Sequence, residues 1–238
     1  IGQTHFNIVR INYQNKFEIF EQHFILKLFE LESKQSKEKY TFRFINTNAF
    51  SKIFVALDSL KKNDNSLAIC NISITKKRLK DYDFSTPYMY NELSVFKSVK
   101  SKLTKDDIYK KNMRWGITRF SVYEPFAKGY EHSNKIMPIY ANSLELSYKN
   151  LQSGKIDFLM GDYISQWIFP ISYVAPFKTQ ESILDTYGIM YPKGSKLKVK
   201  LDKYILYFIK SPQFYDLVRT YLGEAGVEYY SIRNMTAH

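Results

Sequence analysis

The sequence is poor in several residues from which familiar catalytic and metal-binding motifs are built. It holds one cysteine, Cys70, so no disulfide can form within the chain, and cysteine usage leaves the redox compartment open. Because Cys70 lies inside the apolar run LAICNISI, it is expected to act as a small buried hydrophobe. The four histidines, His5, His23, His132 and His238, show no metal-ligand spacing, which argues against a metal site. No run of about 18 apolar residues appears, so no segment is expected to span a bilayer. A basic start followed by an apolar core, the mark of a signal peptide, is also missing. There is no Gly-x-Ser-x-Gly elbow, no His-Glu-x-x-His and no Gly-x-x-x-x-Gly-Lys loop, which counts against the hydrolase and phosphate-loop classes. Glycine is scarce, at 9 residues.

What is present describes a folded chain. At 238 residues it is long enough for one large domain or two small lobes, each with its own core. Apolar residues make up 45% and charged residues 24%, close to the usual globular balance, which excludes global disorder. The 20 Tyr and 18 Phe are spread along the chain and form no repeat. The net charge of +12 raises the question of a nucleic-acid partner, but residues 1–92, 93–186 and 187–238 each carry +4. Nucleic-acid binders concentrate charge on one face or tail to replace counterions along a phosphate backbone, so no nucleic-acid partner is expected. Dense basic runs occur only at Lys76-Lys77-Arg78 and in KGSKLKVKLDK, whose alternating lysines suit one solvated side of a short segment. Such a basic skin is also compatible with an anionic membrane surface.

The order of elements is alternating. FNIVRI suits a buried strand, and from Glu18 to Glu32 apolar residues recur at three and four, which predicts a helix. YTFRFI then reads as a strand, Phe50 to Lys62 as a helix, and Leu67 to Ile74 as a third strand. Strands alternating with helices imply a parallel sheet with right-handed crossovers. A second set follows: MRWGIT as a strand, SVYEPFAKG as a helix, NKIMPIYA as a strand, Ser143 to Gln152 as a helix stopped at Gly154, and KIDFLMGD as a strand ending in Asp162. ISQWIF reads as helical, SYVAPF and YGIMYP as strands, and LDKYILYFI and FYDLVRTYLG as closing helices, the last capped at Gly223.

Four stretches carry a resemblance. NISITKKRLKDYDFSTPYM, LQSGKIDFLMGD, YGIMYPKGSKL and FIKSPQFYDLVRTYLG, in this order, resemble the family-3 bacterial extracellular solute-binding proteins, the periplasmic amino-acid-binding proteins. The match runs from about Asn12 to Gly223. The resemblance implies an α/β, type II two-lobe periplasmic-binding-protein-like fold, each lobe a mostly parallel sheet flanked by helices. Lobe one would be residues 1–93 and 186–238, lobe two residues 94–185, joined by hinge crossings in YNELSVF and SILDTYG. It further implies a monomeric protein outside the cytoplasm, with its signal peptide removed, that closes on a small amino-acid-like ligand and delivers it to the permease of an ABC transporter. No cofactor is implied.

The ligand would sit outside the carboxyl ends of the strands. There Thr75 is suited to cap a helix beginning at Lys76, which brings Arg78 beside the free N–H groups, and a guanidinium grips a carboxylate through two parallel bonds. Position alone leaves Arg78 readable as an ordinary exposed arginine. The resemblance makes it the holder of the ligand's α-carboxylate, helped by Asn71 and Ser73. Asp162 matches the family's ammonium-binding aspartate; it is also readable as the N-cap of a helix starting at Tyr163. Tyr13 and Phe50, which follow strand ends in lobe one, are candidate aromatic walls. The family's Gly-Ser/Thr-Thr anion turn is replaced by Arg119-Phe120-Ser121-Val122, where Ser121 keeps one donor, Arg119 adds a cation, and Phe120 narrows the space. The loop after the first strand is also shorter than is usual in the family. Two alternatives share the fold: a sensing domain of a receptor or cell-wall lytic enzyme, and a dehydratase, for which Glu124 and Glu181 are the weak acid candidates.

Overall fold

The computed structural model describes residues 3–11, 15–132, 136–177 and 184–236. In chain order the elements are β1 (Gln3–Ile11), α1 (Lys16–Ser36), β2 (Lys39–Thr47), α2 (Phe50–Ser59), β3 (Ser66–Ala68), β4 (Tyr82–Phe84), β5 (Met89–Ser98), β6 (Arg114–Thr118), α3 (Tyr123–His132) and β7 (Met137–Ala141). They continue with α4 (Leu144–Gln152), β8 (Phe158–Asp162), α5 (Ser165–Ile168), β9 (Ile171–Pro176), β10 (Leu184–Tyr187), β11 (Met190–Pro192), α6 (Lys196–Phe208) and α7 (Pro212–Thr236). The chain divides into two compact units, Ile1–Asn48 with Lys52–Tyr90 and Thr186–His238, and Ala49–Ser51 with Asn91–Asp185. Among the described residues, no helix is long and apolar enough to cross a membrane.

The first unit is built on a sheet ordered β2-β1-β3-β11-β4. β1 runs parallel to both neighbours, and β11 antiparallel to β3 and β4. Helix α1 starts at a capping box: Asn15 Oδ1 accepts the Phe17 and Glu18 N–H groups at 3.0 Å each, and the Glu18 carboxylate accepts the Asn15 N–H at 3.3 Å. Its periodic residues Phe17, Phe20, Phe24, Ile25, Leu28 and Phe29 are buried, and Phe24 meets Tyr88 and Phe208 at ring-centroid distances of 4.9 and 5.6 Å. The spacing of those side chains at three and four is thus what lays α1 along the sheet.

Two expectations for this unit need correction. The strand from Leu67 to Ile74 is only Ser66–Ala68, because Asn71 takes a left-handed φ of 41°, which asparagine tolerates, and turns the chain out of the sheet. Ser73 then makes a single antiparallel bridge to Tyr187, the last residue of β10. The helix expected from Lys76 is one 3-10 turn, Arg78–Lys80, since the chain enters β4 at Tyr82 and pairs there with Pro192. As expected, Gly223 ends the helical stretch that begins at Pro212, with φ 74° and ψ −175°; a further helical stretch, with Tyr229 and Tyr230 buried, then runs to Thr236. Cys70 is buried, as its apolar setting suggests.

The second sheet is ordered β10-β5-β8-β6-β7, with β9 also paired to β5. β5 and β10, where the hinge crossings were expected, are therefore regular strands. Side-chain alternation separates two cores. Val95 and Met160, opposite each other in register, join Trp115, Ile117 and Phe158 on one face, while Phe96 and Leu159 join Leu151, Ile156 and Ile171 on the other. Gly116 faces that second cluster, and a Cβ there would lie 2.2 Å from the Ile156 side chain.

The start of β6 is pinned by Asp157, whose carboxylate accepts from the Arg114 N–H, Nε and Nη2 at 2.8, 2.9 and 2.7 Å. The Arg114 guanidinium holds the Asp157 carboxyl below its ordinary value, against the opposing effect of burial. A depressed folded pKa stabilises above the unfolded value of about 4 and is lost as pH falls through the folded one. Both tryptophans, Trp115 and Trp167, belong to this unit, so their fluorescence in urea reports its unfolding. Asp157→Asn is expected to be less stable than the parent near neutrality and to lose less between pH about 5 and about 3. Equal slopes in the two proteins would contradict this role for the pair.

Candidate functional site

In the first unit the chain beyond β3 gathers three of the residues singled out by sequence. Arg78 Nη1 donates to the Ser73 carbonyl at 2.8 Å, and the guanidinium carbon lies 5.4 Å from the centre of the Phe54 ring. The Arg78 N–H donates to Thr75 Oγ1 at 3.2 Å and the Leu79 N–H to the Thr75 carbonyl at 2.9 Å, so Thr75 closes the turn even though no long helix follows. Arg78 is half-buried and Ser73 buried. The guanidinium is thus folded back along its own loop, with the fork that recognises carboxylates set by a carbonyl and a ring.

Asn71 has a different attachment. Its N–H donates to Glu21 Oε1 at 2.5 Å, and the same buried carboxylate accepts the Tyr88 hydroxyl. Burial, reinforced by the charge of Glu21, pushes both the Tyr88 hydroxyl and the Cys70 thiol well above their ordinary values, so both keep their protons. Glu21 therefore ties α1 to the loop that carries Asn71 and Ser73. Phe50 opens α2 and is half-buried. Tyr13 lies outside the described residues, as does Glu181.

In the second unit Asp162 ends β8. Its Oδ1 accepts from Asn91 Nδ2 at 2.9 Å and from the Tyr123 hydroxyl at 2.8 Å. The N-cap reading of Asp162 is corrected: the next helix is the single turn α5, which begins at Ser165 after Ile164 with no side-chain cap. Asn91 is fully buried and also donates to Asp185 Oδ2 at 3.4 Å and accepts the Tyr163 N–H at 3.0 Å. Burial, followed by the charge of Asp162, pushes the Tyr123 hydroxyl well above its ordinary value, so it remains a donor to the carboxylate. Asn91 and Tyr123 were not singled out by sequence. Asn91 stood within an expected crossing, and Tyr123 was one of 20 tyrosines.

The turn between β6 and α3 holds the remaining candidates. Phe120 takes a left-handed φ of 64°, the conformation that a glycine would favour, and is 57% exposed. Its N–H donates to Glu124 Oε2 at 2.7 Å, and the other Glu124 oxygen lies 3.2 Å from Lys128 Nζ. Burial would raise the Glu124 carboxyl, but the Phe120 N–H and the Lys128 ammonium outweigh it and hold the group below its usual range. Ser121 Oγ donates to the Thr118 carbonyl at 2.6 Å and accepts the Tyr123 N–H at 3.3 Å, so its proton is committed to the turn. Arg119 is exposed, its guanidinium carbon 4.8 Å above the Tyr140 ring. Among the described residues, no cluster of His, Cys, Asp and Glu is arranged to hold a metal ion.

Two α/β units, each presenting polar groups at strand ends, define a two-lobe fold of the solute-binding class. The chain belongs to the bacterial extracellular solute-binding proteins, family 3, whose profile matches residues 34–224. It is 26% identical over 205 residues to the amino-acid-binding protein AabA of Dichelobacter nodosus, covering 79% of this chain and 72% of that protein. Among solved structures it is similar to the ligand-binding core of GluR0 from Nostoc punctiforme in complex with L-glutamate, at 20% identity and a TM-score of 0.68 over 92% of this chain and 99% of that one. It is also similar to the amino acid ABC transporter substrate-binding protein AbpA of Streptococcus pneumoniae bound to L-arginine, at 18% identity and a TM-score of 0.68 over 94% of each chain. At these identities the two structural likenesses establish the type II two-lobe fold.

Asn91 offers a direct test of the second cluster. Replacing it by alanine removes one hydrogen bond from each of two carboxylates, Asp162 and Asp185, and one from the Tyr163 N–H, each lost bond worth about 1–3 kcal/mol in a buried setting. Asn91→Ala is expected to lower the urea midpoint of the tryptophan transition by an amount equivalent to at least about 2 kcal/mol, whereas Tyr123→Phe should cost about 1 kcal/mol. An unchanged midpoint in Asn91→Ala would show that the amide does not organise Asp162.

Proposed function

We propose that this protein is a non-catalytic, extracytoplasmic binding protein that captures a small amino-acid-like solute by hinge closure of its two lobes and hands it to a membrane transporter. Arg78 would bind the ligand's α-carboxylate from lobe one, with Ser73 and Asn71 beside it, and Asp162 would bind the ammonium group from lobe two. Phe50 is the proposed apolar wall. The observation that carries this reading is the directed guanidinium of Arg78, fixed by the Ser73 carbonyl within a chain of the solute-binding family. The AabA relative, described as amino-acid-binding, supports the same ligand class.

The magnitudes are adequate. Each charge-assisted hydrogen bond contributes about 1.5–3 kcal/mol, and a micromolar ligand requires about 8 kcal/mol in total. A bidentate carboxylate grip with one ammonium bond therefore supplies most of it, and burial of the ligand's side chain the rest. Closure of this kind is a rigid-body motion about a few strand residues. The non-catalytic reading is supported by Glu124, whose carboxyl is held below its usual range and so is ionised near neutrality, unsuited to protonate a leaving group.

Calorimetric titration with the common amino acids tests this reading. At least one is expected to bind with micromolar affinity or better; Arg78→Ala and Asp162→Asn should each weaken it by about tenfold to a hundredfold. Arg78→Lys should fall between the parent and Arg78→Ala, because an ammonium offers charge without the fork. Retained affinity in both Arg78→Ala and Asp162→Asn would remove the site, and conversion of a cyclic prephenate-like acid by the purified protein would replace binding by catalysis.

A further inference from the structure

The lysine-rich run KGSKLKVKLDK, which the binding function leaves unused, becomes a helix with two distinct faces. Ser195 Oγ accepts the Leu197 N–H at 3.2 Å and starts α6. Leu197, Leu201, Ile205 and Phe208 are buried against the first unit. The opposite stripe, Lys196, Val199, Lys200, Lys203, Leu206 and Tyr207, is exposed throughout, and Lys210 continues it in the turn beyond. The intervals along this stripe are three and one, so these side chains share one face of the helix.

The stripe is unusual in mixing cations with large apolar groups. Val199 is 76%, Tyr207 67% and Leu206 47% exposed. Asp202, the one acidic residue of α6, lies off this face, where it pairs with Lys198 and accepts the Thr86 N–H at 3.2 Å. Lys203 Nζ lies 3.4 Å from the carboxylate of Glu32, which offsets its charge, so the positive potential of the face rests chiefly on Lys196, Lys200 and Lys210.

We propose that this face of α6 rests on an anionic lipid surface. Lysine is depleted from protein–protein interfaces, where holding its long, strongly hydrated side chain is costly. A bilayer surface instead rewards it, since each lysine near anionic headgroups gains attraction without needing a fixed partner. Lysine stems reach headgroups while short apolar side chains and an amphipathic tyrosine ring enter the boundary beneath them. From Lys196 to Lys210 the stripe is about 21 Å long, enough to lie flat along a surface. The overall charge of +12 adds long-range attraction of the same sign.

Sedimentation with vesicles tests the proposal on the full chain. Vesicles of phosphatidylcholine with phosphatidylglycerol are compared with pure phosphatidylcholine, at low and high salt. The protein is expected to bind the anionic vesicles only, with salt weakening binding. Lys196→Gln, Lys200→Gln and Lys210→Gln together should weaken it by about fivefold per charge removed. A matched triple on the second unit, Lys100→Gln, Lys102→Gln and Lys111→Gln, removes the same charge from other exposed positions and should have little effect. Val199→Ser with Tyr207→Ser should weaken binding several-fold without changing its salt slope. Arginine at the three α6 positions should preserve binding, which separates lost charge from lost folding. Absence of binding to anionic vesicles, an unaffected α6 triple, or equal losses from both triples would overturn the proposal, the last by reducing it to bulk charge.

Discussion

The chemistry proposed for this protein depends on a guanidinium whose direction is set before any ligand arrives. Arg78 gains that direction from the Ser73 carbonyl at 2.8 Å and the Phe54 ring, while Thr75 fixes its backbone. Fixing a long side chain in advance matters because ordering it on binding costs about 0.5–1.5 kcal/mol. Asp162 is prepared in the same manner by an amide and a phenol, Asn91 Nδ2 and Tyr123 Oη. In both places hydrogen bonds from or to uncharged groups aim the charge, a division of labour that suits the zwitterionic ligand proposed above.

The surrounding fold explains how those small loops are held. In the first unit the buried carboxylate of Glu21 binds the Asn71 N–H and the Tyr88 hydroxyl, so the loop after β3 is attached to α1 and to the segment before β5. In the second unit two cores lie on opposite faces of one sheet, and strict alternation along β5 and β8 assigns Val95 and Met160 to one and Phe96 and Leu159 to the other. A slip of one residue would exchange the two sets, which makes the register, and with it the position of Asp162 opposite Leu93, strongly specified.

Much of this architecture was legible in the residues. The three-and-four spacing from Glu18 to Glu32 located α1, and the apolar setting of Cys70 located a buried thiol. What escaped was governed by contacts remote in sequence or by single backbone angles. Asn91 reaches partners 71, 94 and 72 positions away in Asp162, Asp185 and Tyr163, and nothing in YNELSVF marks it as a hub. The short extent of β3 follows from one left-handed residue, Asn71, inside a run whose composition favours a continuous strand. The lysine alternation at 196–200 suggested period two, yet the exposed face of α6 follows helical spacing, because Leu197, Leu201 and Ile205 decide which side is buried.

The most direct test of the central claim changes the ligand and leaves the protein intact. For an amino acid that binds, calorimetry against the same protein would compare it with its α-amide and with its des-amino acid. Opposite charges held by a guanidinium and a carboxylate predict that each analogue loses about a hundredfold in affinity, the first through Arg78 and the second through Asp162. An α-amide that binds as tightly as the parent would contradict the account, since it would show that the carboxylate is not what Arg78 holds.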